Sequence, residues 1–274
     1  MTEYNGKTAL KLRLREKRYQ TERLMREKRS EEMEALEEVF DKPTLMILYR
    51  MLNSGILKGV FGVVKSGKES RIYWGQDSRG KDIAIKIYLV STSEFRKGMI
   101  RYIEGDNRFK KAPKSTRPLI YLWAKKEFRN LLLAKKAGVR VPKPITVEGN
   151  VLLMEFIGKD GITAPLLKEE FMENPAAVYE KLIDCVKILY KKAQLVHGDL
   201  SEYNIMMCRG KPILFDFSQA VKTEHPLAHE FLKRDIANLT RFFEDLRIKV
   251  EPVDRVYRGI VEKYGERAER NYSS

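Results

Sequence analysis

Residues 196–204 read Val-His-Gly-Asp-Leu-Ser-Glu-Tyr-Asn, and residues 213–218 read Ile-Leu-Phe-Asp-Phe-Ser. In each block a short apolar, strand-like run delivers an aspartate, Asp199 in the first and Asp216 in the second. Asn204 lies five residues after Asp199 and twelve before Asp216. Phosphoryl transfer needs such a combination. One carboxylate orients the attacking group, while an amide oxygen and a second carboxylate hold Mg2+ against the phosphates. The metal demands oxygen donors set close together on rigid supports. Asp199 alone would be an ordinary turn residue, whereas the linked set has the spacing of a kinase catalytic loop followed by its metal loop.

Upstream, Lys86 interrupts the apolar run Ile83-Ala84-Ile85-Lys86-Ile87. A lysine in such a strand must either reach water or find an anion. The I-A-I-K pattern matches the kinase strand whose lysine touches the ATP phosphates. Its natural counter-charge is Glu127, within the helical stretch Trp123-Ala124-Lys125-Lys126-Glu127-Phe128-Arg129. About twenty residues before that lysine a conventional kinase carries a G-x-G-x-x-G loop. Here the turn is Ser66-Gly67-Lys68-Glu69-Ser70, without the triple-glycine spacing. Gly67 lets backbone amides approach a phosphate, and Ser66 and Lys68 supply a hydroxyl and a charge. Glu69 stands where a Walker A loop needs Ser or Thr, so that motif is excluded.

Around these residues the pattern predicts strands over 59–64, 71–74, 82–90 and 151–156, the first three forming an antiparallel meander. Helices are expected over 119–137 and from Asn174-Pro175 to about 192, with a mostly helical region after Pro226. Residues 1–55 read as a charged, helical and exposed N-terminal extension, with Leu45, Leu48, Tyr49 and Leu52 at helical spacing near its end. Residues 91–118 show no period and contain Gly98, Gly105, Pro113 and Pro118. A long mobile loop is the expectation there.

Composition bounds the partners. Of 274 residues, 53 are Lys or Arg and 38 Asp or Glu, giving a formal charge of +15 that attracts polyanions. No apolar run approaches the roughly 20 residues of a membrane span, and the basic N-terminus lacks the apolar core of a signal peptide. Cys185 and Cys208 have no metal-type pairing. A reducing, cytoplasmic setting is the expectation.

Taken together, the residues resemble the RIO family of atypical serine/threonine protein kinases. The resemblance rests on H-G-D-L-S-E-Y-N at 197–204, D-F-S-Q at 216–219 and G-K-E-S at 67–70. S-T-S-E-F at 91–95, Y-I-E-G-D-N-R-F at 102–109, W-A-K-K-E-F-R-N-L at 123–131, L-L-M-E-F-I-G at 152–158 and H-P-L-A at 225–228 are similar to its type-one branch, as in archaea. The G-K-E-S turn is closer to the type-two branch, but the charged stretch ahead of it leaves little room for that branch's winged-helix domain. The resemblance implies an α+β, bilobal protein-kinase-like fold: an antiparallel-sheet N-lobe over 56–157 and a reduced helical C-lobe over 158–274, without an A-P-E motif.

It also implies roles. Asp199 would be the catalytic aspartate, and Asn204 and Asp216 the ligands of Mg2+ or Mn2+, with Asp216 a transient phosphoryl acceptor. Lys86, steadied by Glu127, would hold the ATP phosphates under Ser66, Gly67 and Lys68. The backbone of Glu155 and Ile157 would meet adenine, with Met154 at the back. Family members act in maturation of the small ribosomal subunit, which agrees with the basic composition and implies the pre-ribosomal particle and its rRNA as partners. ATP turnover as a switch, with autophosphorylation, is the implied activity. Two other classes compete: a nucleotide-dependent RNA- or ribosome-binding module without turnover, and a small-molecule phosphotransferase sharing the H-G-D-x-x-x-x-N loop. The intact Lys86, Asp199, Asn204 and Asp216 oppose the first, and the Lys/Arg surplus opposes the second.

Overall fold

A computed structural model describes residues 36–90, 98–109 and 112–262. Its N-terminal half is an antiparallel sheet in the order β1-β2-β3-β5-β4. The strands are β1 (Gly59–Ser66), β2 (Ser70–Gln76), β3 (Asp82–Tyr88), β4 (Pro144–Glu148) and β5 (Val151–Glu155). Central β3 pairs with β2 from Ser70↔Tyr88 to Gln76↔Asp82 and with β5 from Ile83↔Glu155 to Ile87↔Val151. Its alternation sends Ile83, Ile85 and Ile87 to one face and Ala84, Lys86 and Tyr88 to the other, and both faces are covered.

The first face packs on α1 (Lys42–Asn53) through Ile47, Leu48 and Met51. Asp41 caps this helix, its carboxylate accepting from Thr44 N at 3.0 Å and Thr44 Oγ1 at 2.7 Å, with Pro43 in the first turn. Burying Leu48 and Met51 stabilises the lobe by roughly 1.5–3 kcal/mol per side chain. Leu36 and Phe40 join the same core. The division at residue 55 therefore does not mark a separate exposed extension among residues 36–55, because these residues supply one wall of the N-lobe. Residues 1–35 lie outside the described residues.

The other face of the sheet meets α2 (Thr116–Lys136), a helix that starts three residues earlier than its pattern predicts. Between β3 and α2, residues 98–109 differ from the mobile loop expected over 91–118. Met99, Tyr102 and Ile103 are buried, and the Tyr102 ring lies 5.1 Å from that of Phe231. Gly105, at φ +90, lets the chain pass so close to Pro226 that a Cβ there would sit 2.6 Å from its ring. Three apolar residues among many charges are enough to fasten the segment. Residues 91–97 and 110–111 lie outside the described residues.

The C-terminal half is built on α3 (Pro175–Ile188), which continues as a π-helical turn (Leu189–Ala193), and on α4 (Ala228–Asp245) and α5 (Val253–Val261). Asn174 caps α3 by accepting from Ala177 N at 3.0 Å. Leu182, Val186 and Leu189 meet Phe231, Ile236, Leu239 and Phe243 in its core. Three two-stranded antiparallel sheets complete the fold: β6 (Gly158–Lys159) with β7 (Ile162–Thr163), β8 (Leu195–Val196) with β11 (Val221–Lys222), and, nested inside that pair, β9 (Ile205–Cys208) with β10 (Lys211–Leu214). The molecule is thus α+β and bilobal, as the sequence implies. Among the described residues no helix is long and apolar enough to cross a membrane.

Candidate active site

Lys86 hangs from β3 into the cleft, almost wholly buried, with Nζ 2.9 Å from Glu127 Oε1 and 2.9 Å from Asp216 Oδ1. Burial alone would push its pKa down. The two carboxylates outweigh that and raise it, so the ammonium stays charged. Glu127 is fully buried, and its second oxygen accepts from the Tyr88 hydroxyl. Burial raises the Glu127 pKa, opposed by Lys86. Asp216 follows β10 and adopts φ +60, a conformation that side-chain-bearing residues seldom take. Burial works to raise its pKa, but Lys86 and the Ser218 hydroxyl, 2.7 Å from Oδ1, hold it well below the usual carboxylate range.

Asp199 lies in the turn between β8 and β9. Asn204 Nδ2 donates to its backbone oxygen at 2.7 Å and to Oδ2 at 3.1 Å, and Gln219 Nε2 approaches Oδ2 at 3.3 Å. Burial first, and the charge of Asp216 second, raise the Asp199 pKa. With Nδ2 committed to Asp199, the amide oxygen of Asn204 is its remaining metal donor. The chain also ties the two loops together, since Phe215 N donates to Asn204 O at 3.0 Å. The four residues Lys86, Asp199, Asn204 and Asp216, far apart in sequence, converge.

Several supporting groups were not singled out by sequence. Asp235 of α4 is buried and accepts from Gly198 N at 2.8 Å and Leu200 N at 2.9 Å, fixing the loop that carries Asp199. Its carboxyl is pushed up to about 7 by burial, against the pull of those two amides. Arg234 donates to the Gly198 carbonyl and Asn238 to that of Leu200, at 3.1 Å. The available signal was an acid on the otherwise apolar face of Phe231, Leu232, Ile236 and Leu239. His197 sits buried with Nε2 3.0 Å from Phe215 O, and burial lowers its pKa to about 4. It is a neutral structural residue between the two loops.

The β1–β2 turn closes over Lys86. A cavity of about 180 Å3 is lined by Gly67, Lys68, Glu69, Lys86, Glu127 and Asp216. A second, of about 220 Å3, is more apolar and includes Val64, Ala84, Met154, Glu155, Ile157 and Met206. The two share Lys65, Ile72, Met154 and Phe215, so together they form one cleft with a charged end and an apolar end. Ser66, at the end of β1, is exposed like Gly67 and Lys68, but unlike them it lines neither cavity. Glu69, not expected in the site, has its pKa raised by burial and by the charges of Asp216 and Asp199. The side chain of Glu155 turns away to Arg140, at 2.8 Å, and its N–H donates to Lys143 O at 2.8 Å. A larger cleft, about 600 Å3 between α3 and α5, contains none of these groups.

Fold and site together define a protein-kinase-like phosphotransferase with a reduced C-lobe. A RIO-domain family model matches residues 71–256, and the chain belongs to the RIO family of serine/threonine kinases. It is 42% identical over 236 residues to the RIO-type serine/threonine-protein kinase Rio1 of Methanocaldococcus jannaschii, covering 85% of this chain and 80% of that one. Identity to the protein of the same name from Haloferax volcanii is 40% over 219 residues, 80% and 75% of the two chains. The human serine/threonine-protein kinase RIO1 is 38% identical over 226 residues, 81% of this chain and 40% of its own length. These relatives support the type-one branch. Among solved structures, the Rio2 kinase from Chaetomium thermophilum matches with a TM-score of 0.62 at 26% identity, covering 80% of this chain and 67% of that one. Its ADP/Mg2+-phosphoaspartate complex gives 0.61 at 23% identity, covering 84% and 70%.

Proposed function

We propose that this chain binds Mg·ATP in the cleft and transfers the terminal phosphate, working as an ATP-driven switch that also phosphorylates its own Ser or Thr. The observation that carries this reading is the convergence of Lys86, Glu127 and Asp216 beside the Asp199–Asn204 pair.

The donor set suits magnesium. No group of three or more His, Cys, Asp or Glu forms a metal cage among the described residues. Mg2+ is usually held by one or two carboxylates and the substrate's own phosphates. Asp216 Oδ2 and Asn204 Oδ1 are oxygens of the required kind, and Mn2+ would take the same donors. The metal, when bound, neutralises phosphate charge.

This chain's residues do the rest. Lys86 leaves Asp216 for the phosphates while Glu127 keeps its ammonium in place. Gly67 and Lys68 cover them from the turn, with Ser66 at its edge. Adenine lies in the apolar end against Met154, reaching the Ile157 backbone and the Glu155 carbonyl, since the Glu155 N–H is already committed to Lys143 O. Asp199 orients the nucleophile, its raised pKa suiting a proton acceptor. One route uses Asp216 itself: its carboxylate oxygen bonds the γ-phosphorus as the bond to ADP breaks, and water then releases phosphate. The relative solved as an ADP/Mg2+-phosphoaspartate complex supports this route by analogy. The +15 charge suits a polyanionic partner, which we assign to pre-ribosomal small-subunit RNA in the cytoplasm.

Incubation with ATP labelled at the terminal phosphate tests the reading. Wild-type protein should release labelled phosphate, and Asp199→Ala should not. Hydroxylamine should remove protein-bound label from an acyl phosphate and leave Ser or Thr phosphate intact. Wild-type-like turnover in Asp199→Ala would defeat the assignment.

A further inference from the structure

Helix α2 presents two buried polar side chains that the phosphate chemistry does not use. Lys126 is fully buried, and Nζ donates to the carbonyls of Ser218 at 2.9 Å and Ala220 at 2.5 Å. One turn on, Asn130 Nδ2 donates to the carbonyls of Phe217 at 2.9 Å and Ala220 at 2.8 Å. Three carbonyls of the segment behind Asp216 are therefore held by one face of one helix. Asn130 Oδ1 in turn accepts from Arg108 Nη1 at 2.7 Å. Arg108 is gripped by Asp106 through Nε–Oδ1 at 2.8 Å and Nη2–Oδ2 at 2.6 Å, and the Asp106 side chain is fully buried.

Buried carbonyls need donors, and a lysine and an amide supply them where only protein can. Burial, helped by the nearby Arg108, lowers the Lys126 pKa to about 7, against the pull of Asp106 and Glu127. The cluster's output is the attitude of Asp216, which leads the segment in a left-handed conformation and is bonded by Ser218 Oγ of that segment.

We propose that Asp106, Arg108, Asn130 and Lys126 form a positioning chain that orients Asp216 and thereby sets the site's affinity for its divalent ion. This rests on the reading of Asp216 as a metal ligand. It gives the packed part of the β3–α2 connection a direct line to the metal loop. A purely structural cluster would affect stability and leave the metal affinity of the folded protein unchanged. Outer partners of metal ligands, by contrast, tune affinity.

The test uses the full chain with Arg108→Met, and Arg108→Lys as the conservative variant. Mn2+ is titrated by its electron paramagnetic resonance signal into ADP-loaded protein. Hydrogen exchange is followed over 216–222 in metal-free protein. In Arg108→Met the Mn2+ dissociation constant should rise about 10-fold, within the range known for such partners. Arg108→Lys should recover part of it, and exchange behind Asp216 should quicken. Unchanged Mn2+ affinity and exchange in Arg108→Met, beside normal wild-type binding, would overturn the positioning chain alone. Wild-type protein that held no Mn2+ with ADP would overturn the metal site and this proposal with it. If Arg108→Met does not fold, Arg108→Lys and Asp106→Asn face the same criterion.

Discussion

Replacing Lys86 by Met removes a buried cation while keeping much of its volume. Glu127, with no solvent exposure, would be left with the Tyr88 hydroxyl alone. Breaking one side of a buried pair costs about 3–5 kcal/mol, because the remaining charge is stranded. The cost should depend on pH with a definite sign. Burial already raises the Glu127 pKa above its ordinary 4.5, and Lys86 is the charge that opposes the rise. Without Lys86 the folded-state pKa climbs further, so the folded variant binds a proton more readily than the unfolded chain. The deficit is then full above the folded pKa and fades as pH falls towards the unfolded one. Asp216 acts in the same sense. Its depressed pKa stabilises the wild type above its ordinary 3.8, a benefit that is intact at pH 5 and lost only as pH falls below 3.8. Urea unfolding followed by circular dichroism at pH 8 and pH 5 would measure the deficit against wild type. It should be larger at pH 8, and adding Glu127→Gln to Lys86→Met should recover about 1–3 kcal/mol, the range for coupled neighbours. An equal deficit at both pH values, with no recovery in the double variant, would refute the reasoning.

Asp199→Asn should bind nucleotide normally while losing about 10²–10⁴-fold in turnover, the scale of a general base, in a phosphate-release assay. The acid limb of the wild-type turnover profile should lie above pH 3.8, because burial and Asp216 raise the Asp199 pKa. The same limb should persist in His197→Gln, since His197 is neutral above about pH 4. Gly105→Ala should lower stability by about 1–3 kcal/mol in thermal melts, as the position combines positive φ with close contact to Pro226.

How much was legible in sequence depends on the scale at which each residue's role is set. Lys86 and Asp199 could be found because their strands are local apolar runs and the chemistry needs their residue types at fixed spacing. The spacing of Leu45, Leu48 and Leu52 reveals α1 but not its role, because the face of β3 that it covers is distant in the chain. The packed segment 98–109 was missed because Met99, Tyr102 and Ile103 are too few to set up a period among so many charges. Asp235, Lys126 and Asn130 act through backbone groups far away in sequence, and a partner of that kind leaves no spacing to read. Ser66 is suggested only by the place of its turn ahead of Lys86. The hairpin turns it outward and brings Glu69, from the same turn, towards the carboxylates instead.

That placement of Glu69 bears on why the cleft should need a divalent ion at all. Glu69 shares the charged end of the cleft with Asp216, and after burial the charge of Asp216 raises the pKa values of both Glu69 and Asp199. Lys86 is the cation that counters both Glu69 and Asp216, and it is already shared with Glu127. Bringing a triphosphate into this set without further positive charge adds repulsion that Lys65 and Lys68, at the exposed lid, screen only in part. ATP in EDTA should therefore raise the melting temperature little, whereas ATP with Mg2+ should raise it by more than the sum of the two added singly. Glu69→Gln should narrow that gap by improving metal-free binding. Equal stabilisation by ATP with and without Mg2+ would mean that the crowded carboxylates are not what the metal relieves.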